Sequence, residues 1–185
     1  MHEKIKNITN IKSERKEYEK KLNPKITVIV QGILGILDYY DKYDEDQKSF
    51  LHTRIAAEFY YLPDNIIFNY SGRATKKALE LRKEGKKATK DHYNVRKICG
   101  KKAIYTIKEE VKNSKSEKEL VDITTNKFID VYGKYNYTTS GENEKLRDYQ
   151  KEANFSSSDK AYEKADVTLL DDDKWIKDTL KNKNK

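Results

Sequence analysis

The chain has 185 residues, 39 of them Lys or Arg and 31 Asp or Glu, for a formal net charge of +8. That length suits one compact domain with at most a small appendage. Leu, Ile, Val and Phe number 40, so the core is thin and the 14 tyrosines must share in it. Cys99 is the only cysteine, which excludes an internal disulfide and any multi-cysteine zinc site, and fits a reducing, cytoplasmic setting.

Residues 3–22 carry a rough helical spacing and are expected to form an exposed helix that ends before Pro24. The apolar run 26–37 is 12 residues long, too short to span a bilayer and too far along to be a signal peptide, so it is expected in a core. Residues 26–40 read as a buried helix whose start could be a strand. The acidic turn 38–48 supplies cap-type residues at Asp44 to Asp46, and the next helix places Leu51, Ile55, Phe59 and Leu62 on one face before Pro63. Residues 66–71 have strand-like content. A helix over 73–83 closes at Gly85.

Residues 86–94 are expected to be short and extended. A helix over 95–111, interrupted by Gly100, precedes a loop at 114–116 and another helix that ends at Gly133. Residues 134–139 alternate polar and aromatic, like a strand, with Tyr135 and Tyr137 expected in sheet packing. Ser140 then caps a helix through Leu146 and Tyr149. A serine-rich joint at 156–158, a short helix and a final helix around Trp175, Ile176 and Leu180 complete the chain. The expected fold class is α+β, mainly helical. The expected parts are an N-terminal helical part (1–65), a basic core with a helical insertion (66–155), and C-terminal helices with a lysine tail (156–185).

With 33 Lys and only 6 Arg, bulk charge says less than its position. Residues 71–118 hold 16 basic and 6 acidic groups, a local charge of +10, which leaves −2 for the remainder. A concentrated excess of this kind points to a polyanion, nucleic acid before an acidic membrane surface. Arg73, Lys76, Lys77, Lys86, Lys87, Lys90, Lys97, Lys101 and Lys102 are the candidate nucleic-acid contacts.

Within that segment stands the pair Asp91-His92. Of the three histidines, His2 is next to the start and His52 reads as a surface or boundary residue, while His92 alone adjoins a carboxylate among cations. Phosphodiester hydrolysis needs a base to activate water, and a neutral imidazole serves near pH 7. It also needs positive charge on the phosphate, and a carboxylate with an amide oxygen can hold Mg²⁺ with its waters.

The string Thr89-Lys90-Asp91-His92, followed by TTSGENEKL over 138–146, resembles the HNH, or ββα-metal, endonucleases. The resemblance implies a β-hairpin followed by a helix, with Asp91 as a metal ligand and His92 as the general base. It implies Asn143 as the second ligand and Asn136 as the residue that orients the base, with Asn94 and Asn126 competing for that role. Arg96 would clamp the scissile phosphate. The implied cofactor is a divalent metal, Mg²⁺ or Mn²⁺. The implied substrate is double-stranded DNA, cut by a restriction-type, phage or mobile-element enzyme acting as a homodimer on a palindromic site, with no membrane partner. The two patches cover roughly 86–97 and 134–147, and the helical stretches 95–131 would be an insertion between the hairpin strands.

Two alternatives stand beside this reading. Pro63-Asp64 with Glu84-Gly85-Lys86 has the form of a PD-(D/E)xK nuclease, in which Asp64 and Glu84 hold the metal, Lys86 assists water and residues 66–68 form a strand. A non-catalytic nucleic-acid-binding protein would instead lay the lysines of 73–83 and 95–111 on phosphates.

Overall fold

A computed structural model of the chain describes residues 2–92, 96–151 and 158–172, and the expected helix around Trp175 lies outside them. The described chain is mainly helical with one four-stranded sheet, the expected α+β class. It divides into two compact units, neither contiguous in sequence: a helical unit (1–68 and 96–133) and a sheet unit (69–95 and 134–185). This differs from the three contiguous segments expected. The first division falls between 68 and 69, and 96–133 packs with the N-terminal helices.

The helical unit opens with α1 (His2–Tyr40), a single helix of 39 residues that runs through Pro24 instead of breaking there. The reason is the apolar stripe. Tyr18, Leu22, Ile26, Ile29, Val30 and Ile33 are all buried, at helical spacing, on both sides of the proline. The Thr27 hydroxyl donates to the Asn23 carbonyl at 2.8 Å within the proline-bearing turn. Helix α2 (Glu45–Tyr60) starts on a capping box in which Asp44 accepts from the Gln47 N–H and Gln47 accepts from the Asp44 N–H.

Of the residues 66–71 expected as a strand, only Tyr70 and Ser71 enter one, and the first four form the short helix α3 (Ile66–Asn69). Asn65 explains the change, because its side-chain oxygen accepts from the Ile67 N–H at 2.9 Å and nucleates a turn. Helix α5 (Arg96–Lys112) is not interrupted at Gly100. A Cβ there would sit 1.8 Å from the His52 carbonyl oxygen, so Gly100 is the point of closest approach between α2 and α5. Helix α6 (Glu117–Lys127) leads into a π-helical turn (Phe128–Tyr132), closed by the Gly133 N–H on the Phe128 carbonyl at 2.8 Å. Arg15 of α1 binds both Asp130 oxygens and Asn126, and Asn23 accepts from Thr125, so α1 is tied along α6 and the turn after it.

His52, expected at a surface or boundary, is buried 2.6 Å from the Tyr40 hydroxyl. Cys99 is buried, which pushes its thiol up to about 12 against a small opposing effect of Lys102.

The sheet unit has strand order β2-β3-β1-β4, with β1 (Tyr70–Thr75), β2 (Thr89–His92), β3 (Tyr135–Thr138) and β4 (Leu169–Asp171). Strand β1 lies parallel to β3, β2 pairs antiparallel with β3, and β4 pairs antiparallel with β1. Tyr70 faces Tyr135 and Ala74 faces Tyr137, so β1 uses four residues where β3 uses two. Gly72, at φ 83°, sits in that bulge, a conformation only glycine adopts at no steric cost. Helix α4 (Lys76–Lys83) is capped by the Thr75 hydroxyl and ends at Gly85, φ 71°. Helix α7 (Ser140–Lys151) follows β3 directly, and α8 (Ser158–Lys164) precedes β4. The cap of α7 is Thr139, one residue before the expected Ser140. Its hydroxyl accepts from the Glu142 N–H and its own N–H donates to Glu142 Oε2 at 2.8 Å.

Candidate active site

Strand pairing decides which predicted residues meet. In the β2–β3 ladder Asp91 lies opposite Asn136, and His92 lies opposite Tyr135. Side chains alternate along a strand, so Asp91, Asn136 and Thr138 share one face, while His92, Lys90, Tyr135 and Tyr137 share the other.

The first face is polar and closed over by α7 and α8. Asp91 is 4% exposed and Asn136 fully buried. The Tyr162 hydroxyl of α8 donates to Asp91 and accepts from the Asn136 amide at 2.9 Å. The Ser71 hydroxyl of β1 donates to the Asn136 oxygen. Arg73 reaches Asp159 at 2.9 Å, and the Thr75 and Thr139 hydroxyls donate to Glu142. Burial raises the Tyr162 phenol far above its ordinary range and the Asp91 charge raises it further, so Tyr162 stays a proton donor. Burial would also raise the Glu142 carboxyl. The Thr139 N–H, the Thr75 and Thr139 hydroxyls and Lys77 outweigh it, and its pKa falls.

The second face is aromatic and cationic. Tyr70, Tyr135 and Tyr137 form a ring cluster, with centroids 5.0 to 5.9 Å apart. The Arg82 guanidinium lies 4.7 Å from the Tyr137 centroid and 5.7 Å from that of Tyr70, and Lys90 lies 4.8 Å from that of Tyr135. Arg82 and Tyr70 both donate to Asp172 Oδ2, at 2.9 and 3.0 Å. The two tyrosines of β3 are buried sheet packing, as expected, and present no open stacking platform.

The structure thus brings Asp91 and Asn136 together but separates them from His92 by the thickness of the strand. Asn136 bonds Ser71 and Tyr162 on the face opposite His92, so it positions the Asp91–Tyr162 pair instead of orienting the base. Of its competitors, Asn126 accepts from Arg15 in the helical unit and Asn94 lies outside the described residues. Asn143 is half-buried in the first turn of α7, where its N–H bonds the Thr139 carbonyl.

Arg96, Lys97, Lys101 and Lys102 belong to the helical unit, and the side chains of Arg96 and Lys97 lie outside the described set. In the sheet unit Lys76, Lys77, Lys86, Lys87 and Lys90 are exposed, Arg73 is half-buried, and Lys86 pairs with Glu84 at 2.7 Å. For the PD-type alternative, the required strand at 66–68 is a helix, and Asp64 and Glu84 fall in different units.

The donor atoms near Asp91 are oxygens of hard type, which suits Mg²⁺ or Mn²⁺ holding much of its shell as water. Thr138 Oγ1, on the same face, is buried with no hydrogen-bond partner among the described residues, an unspent acceptor of the right kind. Among the described residues no three His, Cys, Asp or Glu side chains cluster for a cation. Any such site must therefore draw on amide and hydroxyl oxygens beside Asp91. Sequence reasoning missed Ser71, Arg82, Glu142, Tyr162 and Asp172. Tyr162 is 71 positions from Asp91 and Ser71 is 65 from Asn136, so no local motif could have joined them.

No family model matches this chain, and no curated protein or solved structure matches it either. No helix among the described residues is long and apolar enough to cross a membrane.

Proposed function

We propose that the chain is a metal-dependent endonuclease of the ββα-metal type, acting on double-stranded DNA in a cytoplasmic setting. The observation that carries this reading is the succession β2, β3, α7. An antiparallel pair presents Asp91 opposite Asn136 and feeds directly into a helix whose first turn holds Asn143. Asp91 and Asn143 would hold Mg²⁺, which supplies charge to the phosphate when bound. His92, at the end of β2, takes the proton from water, and Tyr162 and Asn136 fix the Asp91 carboxylate. The exposed lysines of 76–90 supply the phosphate contacts. A palindromic site would call for a homodimer.

The test is nicking of supercoiled plasmid with Mg²⁺ or Mn²⁺. Wild type cuts, and His92→Ala loses about 10²- to 10⁴-fold in rate while duplex binding is kept, as removal of a general base does. No cleavage by wild type with either metal sinks the reading.

A second reading, a non-catalytic nucleic-acid-binding protein, is favoured by one observation: Asp91 is buried beneath the Tyr162 hydroxyl, and among the described residues no carboxylate or histidine cluster surrounds it. It predicts salt-dependent duplex binding without cleavage, and no effect of His92→Ala on binding.

A further inference from the structure

The helical unit holds a cavity of about 550 Å³ between α5 and the end of α6 with its π-helical turn. Its size lies in the range of small-molecule sites. Three cations line it, Lys101 and Lys102 from α5 and Lys127 from the last turn of α6, and no carboxylate does. None of the three makes an ion pair among the described residues, although other lysines of this unit do. Lys108 is paired with Asp41, Lys112 with Glu109 and Lys115 with Glu119. Like charges gathered around one concavity without a counter-charge repel one another, and an anion relieves that repulsion.

Apart from Thr106 the rest of the wall is aromatic and apolar, with Tyr105, Tyr132 and Ile98. Tyr105 is 43% exposed and carries Lys101 5.8 Å from its ring centroid, so ring and cation are offered side by side. The turn that supplies Tyr132 is π-helical, a departure from α geometry that is frequent at functional sites.

We propose that this cavity binds a nucleoside polyphosphate, with phosphates on Lys101, Lys102 and Lys127 and the base against Tyr105. Lysines act as point charges for phosphate, and a tyrosine face stacks on any base. The site is separate from the residues of the proposed nuclease and is tested by binding alone, so either reading can fail without the other.

Isothermal titration of the full chain with ATP, GTP, tripolyphosphate and a single-stranded oligonucleotide decides the matter, with circular dichroism confirming that each variant is folded. Wild type binds ATP or GTP, and the affinity falls at least tenfold in Lys102→Gln and further in the triple Lys101→Gln, Lys102→Gln, Lys127→Gln variant. Tyr105→Ala weakens nucleotide binding but leaves tripolyphosphate binding unchanged, which separates base recognition from charge. The proposal is overturned by absence of nucleotide binding by wild type, by equal nucleotide binding in the folded triple variant, or by a larger loss of oligonucleotide than of nucleotide affinity in that variant. ATP binding unmoved by Tyr105→Ala, with tripolyphosphate bound as tightly as ATP, overturns it as well, leaving a site for phosphate without a nucleoside.

Discussion

In the helical unit the fully buried side chains include Leu22, Ile26, Val30, Ile33, Ile104, Ile107, Leu120 and Ile129. In the sheet unit they include Tyr135, Asn136, Thr138, Asn69 and Leu146, with Asp91 and Thr75 close behind. One half of the molecule is held by apolar interdigitation, where shape and volume set stability. The other is held by hydrogen bonds and ring contacts, where the cost lies in leaving a buried polar group without a partner. A sheet that buries a carboxylate, an amide and two threonines where an ordinary one would bury Val and Ile gives up stability that chemistry can use, and this is why the catalytic proposal rests there. The cavity of the helical unit is the exception on its side, a charged hollow at the margin of an apolar pack.

Substitutions that change volume should hurt the helical unit most. Gly100→Ala drives a methyl against the His52 carbonyl, a backbone atom that cannot turn aside, and is expected to cost on the order of 4 kcal/mol. Ile104→Ala, at a position with no exposure, is expected to cost about 3 kcal/mol. Urea unfolding curves measure both, and hydrogen exchange resolves which amides lose protection. A Gly100→Ala variant as stable as wild type would mean that α2 and α5 do not cross where they are placed.

In the sheet unit the sensitive changes keep volume and remove a polar atom. Tyr162→Phe leaves the ring in place but takes the hydroxyl from Asp91 and Asn136 together, and is expected to cost about 2 kcal/mol. The same exchange at Tyr61 in the helical unit, where the side chain is 78% exposed, should leave stability unchanged. If Tyr162→Phe were silent in urea unfolding, the contrast between the two units would fail at its clearest point.

What the sequence disclosed follows the same division. Helix ends set by local chemistry were legible: the Asp44 cap, the Gly85 stop and the turn at Gly133 all stand where side-chain chemistry puts them. The strand at 135–138 was legible from alternation, while 89–92 lies in a stretch that read as polar or extended. Pro24 misled because a local rule was overridden by an apolar stripe continuing on both sides of it, and 66–69 misled because strand-like composition yielded to the Asn65 turn. The juxtaposition of Asp91 with Asn136 follows from register, which a resemblance could suggest. The Tyr162 and Ser71 bonds and the Lys127 wall of the cavity depend on which distant segments fold together, and nothing local encodes that. Strand β4, three residues long, was too short to announce itself.

The smallest expected effect compares two capping boxes of the same design. In the helical unit Glu119 is held down to about 2 by the Ser116 N–H, then by Lys115 and the Ser116 hydroxyl. In the sheet unit burial works against Glu142, and the Thr139 and Thr75 donors still bring its pKa below the ordinary value. Both carboxyls titrate lower in the folded chain than in the unfolded one, so their contribution is fully present above the ordinary Glu pKa of about 4.3. It is lost as pH falls through each lowered value. Thr139→Ala removes one donor and the helix cap, and is expected to cost about 1 kcal/mol at neutral pH. The same change should move the Glu142 titration upward, since burial then meets less opposition, while Glu119 still titrates near 2. Carboxyl carbon shifts followed by NMR from pH 6 downward read both groups in one sample. Should Glu119 and Glu142 both titrate at the ordinary value in wild type, neither box is formed in solution, and the α7 start that carries Asn143 loses its anchor.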